Sequence, residues 1–251
     1  MSRRAVGRRV SGTAQLVLFG AVTLGALVQW MTGMGFALVA APVLVLLLGP
    51  GDGVALANCV AGVICLVGLA GGWRRVRLGA MVPLVVASAC TVPAGVWVAG
   101  NLPEPLVLAG LGCLVTLAVL LVMWGTRAPA LGGVGGALTA GAAGGFMNAS
   151  AGVGGPPVSL YAMNAGWSVR EFVPNAQFYG IVVNVFSVAA NGLPELGGGR
   201  VWWLAGAALA VGSVLGRALT ERVPERRARH LVLSLALTGG VTTLVKGLLA
   251  A

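Results

Sequence analysis

The chain has 251 residues, of which 58% are hydrophobic and only 9% are charged. Soluble domains carry roughly 25% charged residues, so a surface with so few charges cannot face water over most of its area. The composition excludes an ordinary soluble enzyme or binding domain and indicates a protein surrounded by lipid.

The apolar segments, taken in chain order, are numerous enough to build a polytopic membrane protein. A helix needs about 20 mostly apolar residues to cross a bilayer. Transmembrane β-strands alternate apolar and polar residues, whereas a segment such as 106–124 is continuously apolar, which indicates helices. The segments lie at 13–31, 36–49, 54–72, 79–99, 105–124, 131–149, 156–165, 173–193, 201–219 and 230–250.

The formal net charge of +10 comes from arginines at the ends of these segments. Membrane proteins place basic residues at such flanks, so we expect a multi-pass protein with the lipid bilayer as a partner, and no nucleic acid. The arginines are Arg3, Arg4, Arg8 and Arg9 before the first segment, Arg74, Arg75 and Arg77 after the third, and those at 222–229 before the last.

Two segments, 36–49 and 156–165, are too short to cross the bilayer comfortably, and each follows a glycine-rich break. The breaks read TGMGF at 32–36 and AGVGGPP at 151–157. Short or Gly/Pro-interrupted segments at corresponding positions of two halves point to the binding site of a transporter.

The two halves correspond at a spacing of 119 residues (152 − 33), which aligns the two breaks. The same spacing pairs Gln29 with Asn148 and Asn58 with Gln177, a polar residue with a polar residue each time. We therefore predict an internal duplication, with a basic N-terminal flank at 1–12, a first membrane repeat at 13–128 and a second at 129–251.

The predicted fold is an all-α polytopic membrane protein made of two homologous repeats, each with four to five membrane helices and one Gly/Pro-broken helix. About eight to ten membrane segments are expected in total. Eight crossings would give parallel repeats and ten would give inverted repeats. The distribution of basic residues does not decide between the two or fix the orientation.

A glycine and proline run inside the membrane frees backbone N–H and C=O groups from helical hydrogen bonds. Each unsatisfied group costs several kcal/mol in hydrocarbon, so such backbone persists only where protein buries it or where it lines a wet cavity. The N-terminal end of the following helix offers free N–H donors and about half a positive charge, which suits an anion. Pro156 and Pro157 fit such a helix start.

Polar side chains accompany the breaks, and polar groups inside a membrane tend to mark pathways. Most lie around the second break and on the segment that follows it, which Pro174 is expected to begin. The candidate substrate-binding or pathway residues are Gln29, Gly33, Gly35, Asn58, Asn148, Ser150, Gly152, Gly154, Gly155, Pro156, Tyr161, Asn175, Gln177, Tyr179 and Asn184.

Acidic and histidine side chains are missing from the middle of the segments. All six acidic residues fall in loops or at segment edges, and the one histidine, His230, opens the last segment. We therefore expect no metal, no cofactor and no buried carboxylate that relays protons. Export would not require such a relay, because one negative charge leaving a cell gains about 2.3 kcal/mol per 100 mV. The four cysteines lie in apolar runs and are expected to be small packing residues.

The order of these features along the chain is similar to the pattern of a known protein family. The motifs are TGMGFALVAAPVLVLLLG at 32–49, AGVGGPPVSLYAM at 151–163, FVPNAQFYGIVVNVFSVAANG at 172–192 and GSVLGRALTERVPERRARHLVLSLALTGG at 212–240. The pattern resembles the TauE/SafE family of sulfite-exporter-like permeases. The resemblance implies a plasma-membrane transporter of small, often sulfur-containing anions: sulfite, sulfonates such as sulfoacetate, thiosulfate or organic acids. It also implies that the glycines and prolines of the breaks form the site, although Phe36 stands where the family often has a further glycine.

Two other classes of function compete with transport. A membrane-embedded enzyme needs a nucleophile with a base, or a metal with its ligands, and this chain offers little for either. A non-transporting assembly or partner protein would use the same breaks for close helix packing. The oligomeric state is left open by the sequence.

Overall fold

The computed structural model describes residues 11–124, 132–196, 198–220, 222 and 225–250. Within these residues the chain forms ten α-helices and no β-strand, which confirms the predicted all-α class. Most of the predicted flank at 1–12 and the predicted repeat boundary at 128–129 lie outside the described residues. The helices are α1 (Gly12–Thr32), α2 (Phe36–Leu48), α3 (Pro50–Leu69), α4 (Leu78–Asn101), α5 (Glu104–Trp124), α6 (Gly133–Ala151), α7 (Gly155–Asn164), α8 (Val169–Asn191), α9 (Gly199–Thr220) and α10 (Glu225–Ala250).

Six of the described helices are long and apolar enough to cross a membrane, namely α1, α3, α4, α8, α9 and the Leu233–Ala250 part of α10. Large apolar side chains cover the outside of the bundle, including Trp97, Trp203 and Leu249, which are 67%, 82% and 84% exposed. Such a surface is stable only when lipid covers it. The predicted polytopic membrane protein is confirmed.

The two short helices fold back along the helices that precede them. Gly25 in α1 lies against Phe36 and Ala40 of α2, so α2 runs antiparallel to α1. In the second half, Gly144 of α6 lies against Gly154 at the start of α7. The 13 residues of α2 cover only about 20 Å at 1.5 Å per residue, which is less than the roughly 30 Å of the hydrocarbon core.

Helices α3 and α8 pack against each other in the centre of the molecule. Gly68 of α3 contacts Gln177 of α8, and Gly62 contacts Asn184, so the two helices are antiparallel. The glycines allow this approach because a side chain at Gly68 would meet the Gln177 amide at 3.0 Å. Polar residues of α8 are thereby held between the two halves.

The remaining long helices pair across the halves. Gly212 and Gly216 of α9 contact Thr23 and Leu27 of α1, and the two helices run parallel. In the matching pair, Gly141 of α6 contacts the backbone of α4, which also runs parallel to it. Glycine at these positions lets the helix backbones approach closely, as is usual in membrane helix packing.

The α1–α9 and α6–α4 pairs are both parallel, whereas α3 and α8, which the 119-residue spacing relates, are antiparallel to each other. The described residues form five helices in each half, and six of the ten are long and apolar enough to cross a membrane. The common origin of the two halves stays a prediction.

One end of the bundle carries most of the described arginines, and we call it the arginine side. It consists of residues 70–77 between α3 and α4, the start of α8 and the end of α9. Arg77 and Glu171 form an ion pair there, with Nη1 and Oε1 3.2 Å apart.

The start of α8 differs from the prediction. The helix begins at Val169, five residues before Pro174, so the expectation that Pro174 begins it is wrong. The Glu171 carboxylate accepts hydrogen bonds from the N–H and the hydroxyl of Ser168, at 3.0 and 2.9 Å. This capping pair stabilises the first turn, and Pro174 lies inside the helix.

Candidate functional site

The first break, residues 33–35, separates α1 from α2 inside the membrane. Gly33 ends α1 in a left-handed conformation with φ of 77°, and its N–H donates to the Gln29 carbonyl at 2.8 Å. The Gln29 side chain then reaches over the break. Its Oε1 accepts hydrogen bonds from the N–H groups of Gly35 and Phe36, at 2.8 and 3.0 Å. Gln29 therefore caps the N-terminus of α2.

The second break, residues 152–154, has the same construction. Gly152 ends α6 with φ of 71°, and its N–H donates to the Asn148 carbonyl at 2.9 Å. The Asn148 side-chain Oδ1 accepts from the N–H of Gly154 at 3.2 Å. Gln29 and Asn148, which the 119-residue spacing pairs, thus cap the helix that follows their own break.

The amide nitrogens of these two caps reach towards the central helices. Gln29 Nε2 donates to Oε1 of Gln177 at 3.2 Å and to the Gly33 carbonyl at 3.3 Å, and it lies 3.7 Å from Sγ of Cys65. Gln177 Nε2 donates to the same Gly33 carbonyl at 3.2 Å. Gln177 on α8 is therefore bonded to the first break.

Asn148 makes the matching contacts in the second half. Its Nδ2 donates to Ser187 Oγ at 2.8 Å and to Asn184 Oδ1 at 3.1 Å. Asn184 follows Cys65 by 119 residues, so the two caps contact equivalent positions on α3 and α8. Both networks are almost completely buried in the protein.

The two breaks also touch each other. Met34 of the first break lies against Gly155 at the start of α7, where any side chain would collide with its sulfur. The Ser159 hydroxyl donates to Met34 Sδ at 3.2 Å. Because of this contact, the N-termini of α2 and α7 face one common space.

That space is a cavity of about 50 Å³, which we call the central cavity. Among the described residues, no charged side chain lines it. Its polar groups are amides, one hydroxyl, one thiol and the backbone of the two breaks. The lining residues are Gln29, Met34, Gly35, Phe36, Ala37, Leu38, Ala61, Cys65, Asn148, Val153, Gly154, Gly155, Pro156, Ala176, Tyr179, Gly180, Val183 and Asn184.

The two helix N-termini do not offer the same number of hydrogen-bond donors to this cavity. In α2, the N–H groups of Ala37 and Leu38 have no acceptor among the described residues. In α7, Gly155 at the first position has an N–H group without an acceptor among the described residues, whereas Pro156 and Pro157 at the second and third positions have no N–H at all. The first break is therefore the better donor of hydrogen bonds to an anion, although the sequence placed more candidate residues around the second.

Tyr179 lines the cavity, but its hydroxyl is not available as a donor to it. It lies 2.9 Å from Ser88 Oγ, and Ser88 also lies 2.8 Å from the carbonyl oxygens of Leu84 and Gly141. Ser88 has one proton to give to those carbonyls, so Tyr179 must donate to Ser88. Tyr179 is thus part of the cavity wall.

A second, larger cavity of about 320 Å³ opens towards the arginine side, and we call it the vestibule. Its lining includes Gly33, Val173, Gln177 and Thr220 at the ends of α1, α8 and α9. Gln29 lines both the vestibule and the central cavity. The hydrogen-bonded pair Gln29 and Gln177 therefore lies at the boundary between the two spaces.

Of the predicted site residues, ten line these two cavities. They are Gln29, Gly33, Gly35, Asn148, Gly154, Gly155, Pro156, Gln177, Tyr179 and Asn184.

The structure places the other five predicted residues away from both cavities. Asn58 is fully buried on α3, with its Nδ2 donating to the Asn148 carbonyl at 3.3 Å. Gly152 packs against Ala41 and Ala57 of the first half, and Ser150 lines a separate apolar cavity between α4, α5 and α6.

The last two of these five hold neighbouring elements together. Tyr161 packs edge-on against Trp167, with ring centroids 5.6 Å apart. Asn175 Oδ1 accepts a hydrogen bond from the main-chain N–H of Arg77 at 2.8 Å, which links the connection before α4 to α8. These contacts show that Tyr161 and Asn175 each join neighbouring elements of the fold.

Several residues at the site were not among the predicted ones, including Ala37 and Leu38 at the start of α2. Met34 and Cys65 line the central cavity, and Ser187 binds Asn148. The 119-residue spacing, which pairs Cys65 with Asn184, was the signal that could have identified Cys65. Its apolar neighbours made it read as a packing residue.

The fold and the site define a class of protein. A bundle of membrane helices with two broken helices that meet at a small polar cavity inside the membrane is the construction of a secondary transporter. The model of the family Sulfite exporter TauE/SafE matches residues 17–243, and the chain belongs to this family. It is therefore a multi-pass plasma-membrane transporter and not an enzyme or an assembly partner, as the resemblance implied. No curated protein and no solved structure matches the chain.

Proposed function

We propose that the protein carries a small sulfur-containing anion, such as sulfite, a sulfonate or a sulfoacetate-like compound, through the central cavity and out of the cell. One observation carries the proposal: the N-termini of two broken helices face a single uncharged polar cavity within the membrane. The name of the family supports a sulfur oxyanion.

The binding chemistry would rest on backbone N–H groups. Ala37 and Leu38 offer donors without acceptors at the start of α2, and the helix end adds about half a positive charge. Gln29 Oε1 accepts hydrogen bonds from the N–H groups of the two preceding residues, Gly35 and Phe36, as an oxygen atom of a bound anion would. Neutral donors would let the anion leave again, because no permanent positive charge in the cavity would hold it.

The size of the cavity favours a compact anion. One water needs roughly 10–15 Å³ of such space, so about 50 Å³ has room for a few water molecules or one small oxyanion. Sulfite fits this limit better than sulfoacetate, which carries an additional carboxylate arm. Within the proposal, sulfite is therefore the first anion to test.

The driving force would be the membrane potential. Among the described residues that line the central cavity, there is no carboxylate and no histidine that could exchange a proton with the substrate. An anion of charge −1 gains about 2.3 kcal/mol per 100 mV when it leaves a cell that is negative inside. This direction agrees with export.

The test is anion flux from proteoliposomes of the purified protein under an imposed potential, with sulfite, sulfoacetate, thiosulfate, chloride and acetate in parallel. We expect saturable, voltage-driven sulfite flux that is faster than sulfoacetate flux. Flux that follows a pH gradient at clamped voltage would contradict the driving force, and no flux of any sulfur oxyanion would contradict the proposed substrate class.

A pair of matched substitutions locates the pathway. Ala176 lines the central cavity, so Ala176→Leu fills it and should abolish flux. Ala207 is exposed on α9, so Ala207→Leu adds the same side chain to the lipid-facing surface and should leave flux unchanged. Gel filtration of both variants verifies that they fold. Equal flux in the two variants would rule out the central cavity as the pathway.

A further inference from the structure

One hydrogen-bonded pair lies between the vestibule and the central cavity. Gln29 Nε2 and Gln177 Oε1 are 3.2 Å apart, and both amide nitrogens also donate to the carbonyl of Gly33. Gln29 lines both cavities, whereas, of the two cavities, Gln177 lines the vestibule. Because the two cavities meet at Gln29, this pair is placed to control movement between them.

The second half contains the counterpart of this pair but not its hydrogen bond. The spacing of 119 residues relates Gln29 to Asn148 and Gln177 to Asn58. Asn58 Nδ2 donates to the Asn148 main-chain carbonyl, whereas the Asn148 side chain donates to Ser187 and Asn184. The contact between the two side-chain amides that closes the first half is missing from the second.

Asn58 is left with an unpaired acceptor. Its side chain is 0% exposed, and its Oδ1 has no hydrogen-bond partner among the described residues. A buried acceptor without a partner destabilises the state in which it is unpaired. The Nδ2 of Asn148 is the donor that would satisfy it if the second break were arranged as the first is here.

We propose that Gln177 and Asn58 are gating residues that act in turn on the two sides of the central cavity. In the conformation seen here, the vestibule is open on the arginine side and the Gln29–Gln177 bond closes the thin partition behind it. In the opposite conformation, Asn148 releases Asn184 and Ser187 and donates to Asn58 Oδ1, while a vestibule opens beside the second break. The proposal rests on the proposed function only in that the substrate passing the gates is an anion.

The partition can be tested with a cysteine that the chain already contains. Cys65 lines the central cavity behind the Gln29–Gln177 pair. A background in which Cys59, Cys90 and Cys113 are alanine leaves Cys65 as the one thiol. Gln177→Leu in this background should raise the rate at which a small water-soluble thiosulfonate labels Cys65 by about tenfold or more, because the partition is open for longer.

The second gate is tested by Asn58→Leu, which removes the unpaired acceptor. This variant should favour the conformation seen here, so a cysteine placed at Val173 in the vestibule should label at least as fast as in the parent. Sulfite flux should fall by about tenfold or more, while the Kd for sulfite stays within about threefold. If the hydrogen bond of Asn58 had no role in gating, its loss would not lower sulfite flux while leaving the affinity for sulfite nearly unchanged.

Asn191→Leu is the matched control. Asn191 Nδ2 donates to the Ala149 carbonyl at 3.0 Å, so the substitution removes the same kind of bond between α8 and α6. This control should transport normally.

The outcomes separate the gate from the substrate. Unchanged Cys65 labelling in Gln177→Leu, normal flux in Asn58→Leu, or an equal loss of flux in Asn191→Leu would each overturn the gating proposal. The labelling measurements contain no anion, so they keep their meaning if the parent protein transports no sulfite. That last result would count against the proposed function alone. Gln177→Leu is a second variant that tests the gate if Asn58→Leu fails to fold.

Discussion

The two breaks are built alike and used differently. Each begins with a left-handed glycine, Gly33 or Gly152, and each is capped by an amide side chain located four residues earlier in the chain. The first break borders the vestibule of about 320 Å³, whereas the cavity beside Ser150 and Ala151, just before the second break, is apolar. The second is packed against Ala41 and Ala57.

This difference shows how one construction can serve two states. The two halves carry similar polar groups at equivalent positions. The conformation decides which of these groups is hydrogen-bonded. Gln177 has a side-chain partner and its counterpart Asn58 does not. In a transporter that opens to each side in turn, such an asymmetry within a similar pair is expected.

The largest difference should appear when the two glycines are replaced. A left-handed conformation costs an L-residue about 1–2 kcal/mol, and a Cβ at Gly33 would also lie 2.8 Å from Val173 Cγ2. Gly33→Ala should therefore lower the free energy of unfolding by about 2–4 kcal/mol, and Gly152→Ala by only about 1–2 kcal/mol, since its neighbours leave room. Thermal unfolding in detergent measures both.

The control for this comparison is the double variant Gly33→Ala with Val173→Ala. It removes the collision and should recover part of the lost stability. Equal losses in the two single variants would show that the first break is no more tightly constrained than the second.

A somewhat smaller difference is expected when the caps are replaced. Asn148→Leu leaves the Gly154 N–H and Ser187 without their partner in a sealed region, which should cost about 2–3 kcal/mol of stability. Gln29→Leu also uncaps a helix, but water from the vestibule can reach the freed groups, so about 1–2 kcal/mol is expected. If Gln29→Leu were the more damaging of the two, the vestibule would not supply that water.

The next effect concerns the donor count of α7. Pro156→Ala returns one N–H group to the edge of the central cavity. The variant should bind sulfite a few-fold more tightly, because a hydrogen bond to an anion contributes about 1.5–3 kcal/mol, part of which is lost by the more flexible loop. Titration of the purified protein with sulfite measures the change. Weaker binding would mean that α7 contributes shape and no donors.

The smallest effect is expected at Tyr161. Its ring packs on Trp167, and its hydroxyl has no hydrogen-bond partner among the described residues. Tyr161→Phe should therefore change stability by less than about 0.5 kcal/mol and leave sulfite flux intact. Loss of sulfite flux in Tyr161→Phe would show that the Tyr161 hydroxyl takes part in transport.

The helices and the two breaks could be predicted from the sequence because lipid imposes strong rules. Long apolar runs must become helices, and a run such as AGVGGPP cannot continue one. The 119-residue spacing also identified Gln29 and Asn148 as an equivalent pair. Their shared capping role depends on α2 and α7 folding back, which no local pattern specifies.

Two further features lie differently in the structure than the sequence suggested, and each has a local cause. Tyr161 was included because it follows the second break closely in sequence, but its place on α7 turns its ring towards Trp167. The start of α8 was placed at Pro174, whereas Ser168 and Glu171 already form the Ser-x-x-Glu signature of a helix start. The unequal numbers of free N–H groups at the two breaks could not be predicted without the exact helix boundaries. A shift of one residue in the start of a helix decides whether the N–H that proline lacks would have formed a hydrogen bond.

The central claim is that the backbone N–H groups at the start of α2 bind the anion. Ala37→Pro removes one of these donors without a change of charge, at a first-turn position where proline is tolerated. The matched control is Val134→Pro, which makes the same change in the first turn of α6, away from both cavities. Loss of one hydrogen bond to an anion corresponds to about 1.5–3 kcal/mol, so the Kd for sulfite should rise roughly 10- to 100-fold in Ala37→Pro and stay unchanged in Val134→Pro. Equal affinity in a folded Ala37→Pro protein would contradict an anion site at the first break.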